Sequence, residues 1–109
     1  MSAVHTVTDR LVVTYQPDGW ARGVLTGVAD GQGGFGVEHV IVFNGSPPTL
    51  LMDMLRAGLQ EAWNRGFAYV TWRVPHVFPA ALALAEVGRR LGFTKEREDD
   101  TWAYFRLDK

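Results

Sequence analysis

The segment from Asn44 to Thr49 stands where a helix begins, a position that suits phosphate binding. A strand-like apolar run, Val37 to Phe43, precedes it, and a helix-like run, Leu50 to Trp63, follows. The first N–H groups of a helix are unpaired and carry partial positive charge, so helix starts attract anions. Pro47 and Pro48 have no N–H, and no Arg or Lys stands in the segment or the first helical turn. The segment is therefore poorly suited to phosphate.

Few other residues offer chemistry. His5, His39 and His76 are too scattered to suggest a metal set, and no cysteine completes one. The absence of cysteine also removes disulfides and thiolate nucleophiles. The only serines are Ser2 and Ser46, and there is no Gly-x-Ser-x-Gly motif. We therefore expect no metal site and no serine hydrolase.

Composition and charge set broader bounds. The 109 residues suit one domain, 1–109, and 47% hydrophobic with 21% charged residues is typical of a globular protein. A net charge of -1 gives no reason to expect nucleic acid or an anionic membrane as partner. The N-terminus lacks a signal-peptide pattern, and no apolar stretch is long enough to span a membrane. These features favour a cytoplasmic location.

The first third of the chain has strand patterns. We predict strands over Val4 to Tyr15, Trp20 to Val28 and Phe35 to Phe43, separated by turn-forming residues. The glycine-rich stretch Gly31 to Gly36 resembles a nucleotide-binding loop, but it precedes a strand where such loops need a helix. It is predicted to be a hairpin connection.

Two helices and a hairpin complete the pattern. Apolar residues at helical spacing predict one helix from Leu50 to Trp63, and Pro79 and Gly92 bracket a second. Phe67 to Val74 forms a strand between them, and the tail is predicted to be a β-hairpin around Glu98 to Asp100. The order β-β-β-α-β-α-β-β predicts a mixed α/β (α+β) sheet with one right-handed parallel crossover.

This order, with the ending Leu91-Gly92-Phe93, resembles the C-terminal two-thirds of the GNAT superfamily, the acyl-CoA-dependent N-acyltransferases. The resemblance covers roughly Gly19 to Lys109. It implies a GNAT-like fold without the family's usual first two helices, which build much of the acceptor site.

The family's functional residues do not carry over in register. Its cofactor loop, Arg/Gln-x-x-Gly-x-Gly/Ala, falls on Ser46 to Leu51, where neither the basic or amide residue nor either glycine is present. The asparagine of the later helix falls on Ala81, and the general-acid tyrosine falls on Gly88. Any cofactor contact would have to come from the loop Asn44, Gly45 and Ser46.

Glu38 is the one acid–base candidate. Some family members place a carboxylate base on this strand, and His39 stands beside it. Neighbours in a regular strand point to opposite faces, so we expect the two not to act as a pair. The competing interpretation is a polar residue on a partly exposed strand.

The last strand suggests a partner surface. If Phe105 and Leu107 face the core, Trp102, Tyr104 and Arg106 share the other face, and these residue types are enriched in binding hot spots.

Three hypotheses follow from this pattern. The first is a GNAT-like interaction or assembly protein without a cofactor, which binds a protein partner or itself and resembles small phage-encoded virion or head-assembly proteins. The second is a small N-acetyltransferase that uses acetyl-CoA through an altered loop. The third is a regulatory domain that binds a small ligand where the two parallel strands splay.

Overall fold

The computed structural model describes residues 2–7, 10–16, 18–43, 50–76 and 80–109, with 2–7 and 80–83 described by their backbone alone. These residues form seven strands and two helices, in the order β1 (Ser2–Val7), β2 (Arg10–Tyr15), β3 (Gly23–Ala29), β4 (Gly34–Val42), α1 (Leu50–Asn64), β5 (Tyr69–Pro75), α2 (Ala80–Arg90), β6 (Thr94–Glu98) and β7 (Trp102–Asp108).

The described strands form one mixed sheet, in the order β1-β2-β3-β4-β5-β7-β6. β4 and β5 are parallel, and the other neighbours are antiparallel. The mixed fold class, the strand–helix–strand crossover and the C-terminal hairpin are thus confirmed. Neither described helix has the length and apolarity that a membrane span requires.

One predicted strand is two. The stretch Val4 to Tyr15 forms the antiparallel pair β1 and β2, in which Val7 lies opposite Arg10. The intervening residues, Thr8 and Asp9, give a weak hairpin signal because they include neither the Asn-Gly pair nor a proline. The Val and Thr content on both sides therefore resembled one continuous strand.

Both helices pack on the same face of the sheet. Gly58 of α1 lies against Leu25 of β3, and Gly88 of α2 lies against Trp72 of β5. Leu25 and Trp72 are on the same face of the sheet. Residues directly opposite each other share a face, and Gly27, two residues after Leu25, lies opposite Val37, which lies opposite Trp72. The buried core lies between this face and the two helices.

The other face of the sheet, here called the open face, carries no helix among the described residues. The helices contact β2, β3, β4 and β5 from the core side. The open face displays the alternate residues of the central strands and β7, which are Val12, Thr14, Val24, Thr26, Val28, Ile41, Tyr69, Thr71, Arg73, Trp102, Tyr104 and Arg106. In the described part of the chain, nothing replaces the missing first two helices.

Candidate functional site

A gap opens between the parallel strands β4 and β5. Their pairing stops at Val37 and Trp72, although β4 continues to Val42 and β5 to Pro75. The Phe43 N–H donates to the Arg22 carbonyl of the β3 side at 3.0 Å. Because backbone groups alternate between the two neighbours of a strand, the N–H and C=O groups of Val40 and Val42 point into the gap.

A β-bulge lies at Glu38, where the gap begins. Val37 is opposite Gly27 and His39 is opposite Thr26, so Glu38 is an extra residue on β4. Its carboxylate reaches Arg10 on the open face, and His39 Nδ1 lies 3.2 Å from Thr26 Oγ1 on the same face. The prediction that Glu38 and His39 point to opposite faces was wrong, because the bulge breaks the alternation.

The Glu38 carboxylate is held by a guanidinium. Arg10 Nε donates to Oε1 at 2.6 Å and Nη2 donates to Oε2 at 3.2 Å. The hydrogen bond from Arg10, more than any other influence, holds the pKa of Glu38 below its usual range. An effective general base has a pKa near the working pH, so this bidentate pairing makes Glu38 a weak one.

The predicted partner residues of β7 lie together. Ala103 and Phe105 are buried in the core, whereas Trp102, Tyr104 and Arg106 share the open face. Asp99 fixes this region by accepting hydrogen bonds from the Trp102 N–H at 2.7 Å and the Tyr104 hydroxyl at 2.9 Å. Their placement agrees with the strand pattern, and their role at an interface stays a prediction.

Sequence reasoning missed three arginine–aromatic stacks on the open face. Guanidinium carbons lie over aromatic rings at 4.2 Å for Arg73 on Trp102, 3.7 Å for Arg97 on Tyr104 and 3.9 Å for Arg106 on Tyr69. Tyr69, Thr71 and Arg73 alternate along β5 with the apolar residues Val70, Trp72 and Val74. This alternation was enough to place Tyr69, Thr71 and Arg73 on the open face. The stacks themselves depend on strand neighbours that the sequence does not reveal.

The sequence matches no protein-family model and no curated protein. Solved structures match in three dimensions. An IAA acetyltransferase from Bacillus cereus ATCC 14579 has a TM-score of 0.79 at 10% identity, covering 93% of this chain and 79% of that one. The ribosomal-protein-S18-alanine N-acetyltransferase from Escherichia coli has a TM-score of 0.73 at 18% identity, covering 94% and 71%.

A GNAT family acetyltransferase from Elizabethkingia anophelis with acetyl-CoA bound has a TM-score of 0.77 at 9% identity, covering 94% of this chain and 78% of that one. The chain has the GNAT fold. Identities this low establish the fold alone.

Gly88, onto which the sequence resemblance places the family's general-acid tyrosine, is closely packed. A Cβ atom at Gly88 would lie 2.9 Å from Cζ3 and 3.3 Å from Cε3 of Trp72. Trp72 is only 6% exposed and packs against Phe93 and Phe105. A tyrosine therefore has no room here without displacing the core. Ala81 lies in α2, where only the backbone is described.

The proposed cofactor loop residues Asn44, Gly45 and Ser46, with Pro47 and Pro48, lie outside the described residues. Among the described residues, no group of three or more His, Cys, Asp or Glu side chains is placed to hold a metal ion.

Proposed function

We propose that this GNAT-fold chain works as an interaction or assembly protein, which binds a partner protein or a second copy through its open face. The observation that carries the proposal is the open face itself: one side of the sheet has no helical cover in the described residues and displays Trp102, Tyr104 and Arg106. Contiguous apolar and aromatic surface of this kind marks binding sites.

The state of the acid–base candidates supports the same proposal. Glu38 is paired with Arg10, and Gly88 leaves no general acid at the family's usual position. An N-acyltransferase without a free base or a positioned acid loses the contribution of proton transfer, which is about 10²–10⁴-fold in rate. A phage virion or head-assembly setting rests on the sequence resemblance alone and stays a prediction.

Sedimentation velocity over a range of concentrations tests the binding role. We expect self-association or a stable complex. The Trp102→Ala, Tyr104→Ala double variant should weaken it by about 4 kcal/mol, roughly 700-fold, if each residue is a hot spot of about 2 kcal/mol. Trp20→Ala is the matched control, because Trp20 is 73% exposed and lies outside the open-face row. A monodisperse monomer at high concentration that also captures no partner from its source cells would contradict the proposal.

The second candidate function is acyl transfer from acetyl-CoA, and the gap between β4 and β5 favours it. The backbone groups of Val40 and Val42 have no strand partner on this side among the described residues, and they suit an extended amide-bearing chain, which pairs with a strand edge as an added strand does. An acetyl-CoA molecule would supply a thioester-bound acyl group for an acceptor amine. Isothermal titration with acetyl-CoA separates the two functions, since dissociation in the low micromolar range would favour the enzyme.

A further inference from the structure

A second feature of the open face is a cavity of about 260 Å³ between β5, β6 and β7. Its lining includes Arg73, Arg97, Thr71 and Tyr104. We propose that Arg73 and Arg97 form a binding site for a small polyanion, a ligand with two phosphate or carboxylate groups. The proposal depends on these arginines and does not require the partner-binding role.

Neither arginine forms a close ion pair within the described chain, although Arg73 interacts with the Glu38 charge and Arg97 with the Asp99 charge at longer range. Other described arginines lie within 4.0 Å of a carboxylate. Arg10, for example, pairs with Glu38, and Arg106 pairs with both Glu96 and Asp108. Neither Arg73 nor Arg97 makes an ion pair or a side-chain hydrogen bond to a described residue. Their donors are therefore available to a ligand.

The carboxylates around the cavity are engaged elsewhere. Glu96, which lines it, lies 3.7 Å from Arg106, and Glu38 is bound by Arg10. Asp99 accepts N–H groups from Thr101 and Trp102 as well as the Tyr104 hydroxyl. Glu96 is thus the one carboxylate among the described lining residues, and neither Arg73 nor Arg97 has a carboxylate oxygen within 4.0 Å in the described part of the chain.

Strand register and stacking hold the two guanidinium groups in place. Arg73 and Arg97 lie on either side of Tyr104, each directly opposite it on a neighbouring strand. Their backbones are therefore about 10 Å apart, twice the usual strand spacing. Each guanidinium carbon lies over an aromatic ring, which holds the group in place without using its N–H donors as hydrogen bonds would. Those donors can form paired bonds to an oxyanion.

Nuclear magnetic resonance of the native protein gives the first test. Inorganic pyrophosphate and citrate are titrated at low ionic strength, about 20 mM, with acetate as the single-charge comparison. We expect saturable shifts of the Arg73 and Arg97 Nε–H signals with at least one of the two polyanions, and weaker binding of acetate. Pyrophosphate selectivity identifies a phosphate ligand, and citrate selectivity identifies a carboxylate ligand.

Variants give the second test. Arg73→Gln or Arg97→Gln should weaken binding of the polyanion about tenfold or more, and the corresponding lysine variants should weaken it less. Arg56→Gln removes the same charge at an exposed position of α1 and should leave binding of the polyanion unchanged. The proposal is overturned if neither polyanion shifts the two arginine signals, if both Gln variants bind as the native protein does, or if Arg56→Gln weakens binding equally.

Discussion

Substitution of Gly88 by alanine tests whether packing against Trp72 leaves no room for a side chain at this position of α2. Gly88 is in α2, where alanine is favoured over glycine by about 1 kcal/mol of helix propensity. The new Cβ would lie 2.9 Å from Cζ3 of Trp72, closer than carbon atoms approach in proteins. Overpacking of this kind costs about 1–3 kcal/mol.

The expected sum of these two effects is a loss of about 1 kcal/mol, because the Trp72 ring is confined by neighbouring rings. Phe93 and Phe105 pack against it with ring centroids 6.0 and 6.5 Å away. For a domain of this size, 1 kcal/mol lowers the thermal midpoint by about 4–8 °C. Urea unfolding followed by tryptophan fluorescence measures the same loss as a lower midpoint at an unchanged slope.

Gly58→Ala in α1 is the matched control. Its Cβ would also approach a side chain at 2.9 Å, but that atom is Cδ1 at the end of the Leu25 side chain and not part of a rigid aromatic ring. We expect a smaller loss or a gain there, from the same helix-propensity term. If Gly88→Ala stabilised the protein by about 1 kcal/mol, as propensity alone predicts, the reasoning from Trp72 packing would be refuted.

The remaining predictions concern the cofactor and the acidic side chains. Acetyl-CoA should bind roughly two to four decades more weakly than to a loop with the two N–H donors that Pro47 and Pro48 lack, and a low-micromolar dissociation constant by calorimetry would contradict this. The Glu38 pKa, measured by carboxyl resonance titration, should lie below its usual value and rise in Arg10→Gln; a value indifferent to Arg10 would contradict the pairing. Because folding lowers the Glu38 pKa, the Arg10–Glu38 pair stabilises the folded state at pH values above the usual Glu pKa. This stabilisation is lost as the pH falls through the lowered pKa of Glu38. If acyl transfer is detected, Glu38→Gln should reduce turnover by about 10²–10⁴-fold, and an unchanged rate would exclude Glu38 as the base. Asp99→Asn should weaken the hydrogen bond from the Tyr104 hydroxyl and so speed exchange of that hydroxyl hydrogen with solvent. The control variant Asp100→Asn should leave the exchange rate unchanged.

The candidate site was predictable only in part. The alternation along β7 was enough to place Trp102, Tyr104 and Arg106 on one face opposite buried Ala103 and Phe105. The pairing of Glu38 with Arg10 was not predictable, because the two residues are 28 positions apart and meet only through the sheet order β2-β3-β4. The bulge that turns Glu38 and His39 to one face also has no signal in a sequence without a glycine or proline at that point.

The sequence by itself determined the fold class of this protein and most of its elements, although it did not separate β1 from β2. Hydrophobic periodicity is a local property, and here it identified both helices, the parallel crossover and the C-terminal hairpin. Only the tertiary structure decided that both helices cover the same face and that Arg73 and Arg97 line one cavity. It also decided that, among the described residues, the other face carries no helix and neither arginine forms a close ion pair. These features arise from contacts between strands distant in sequence, which no local pattern encodes.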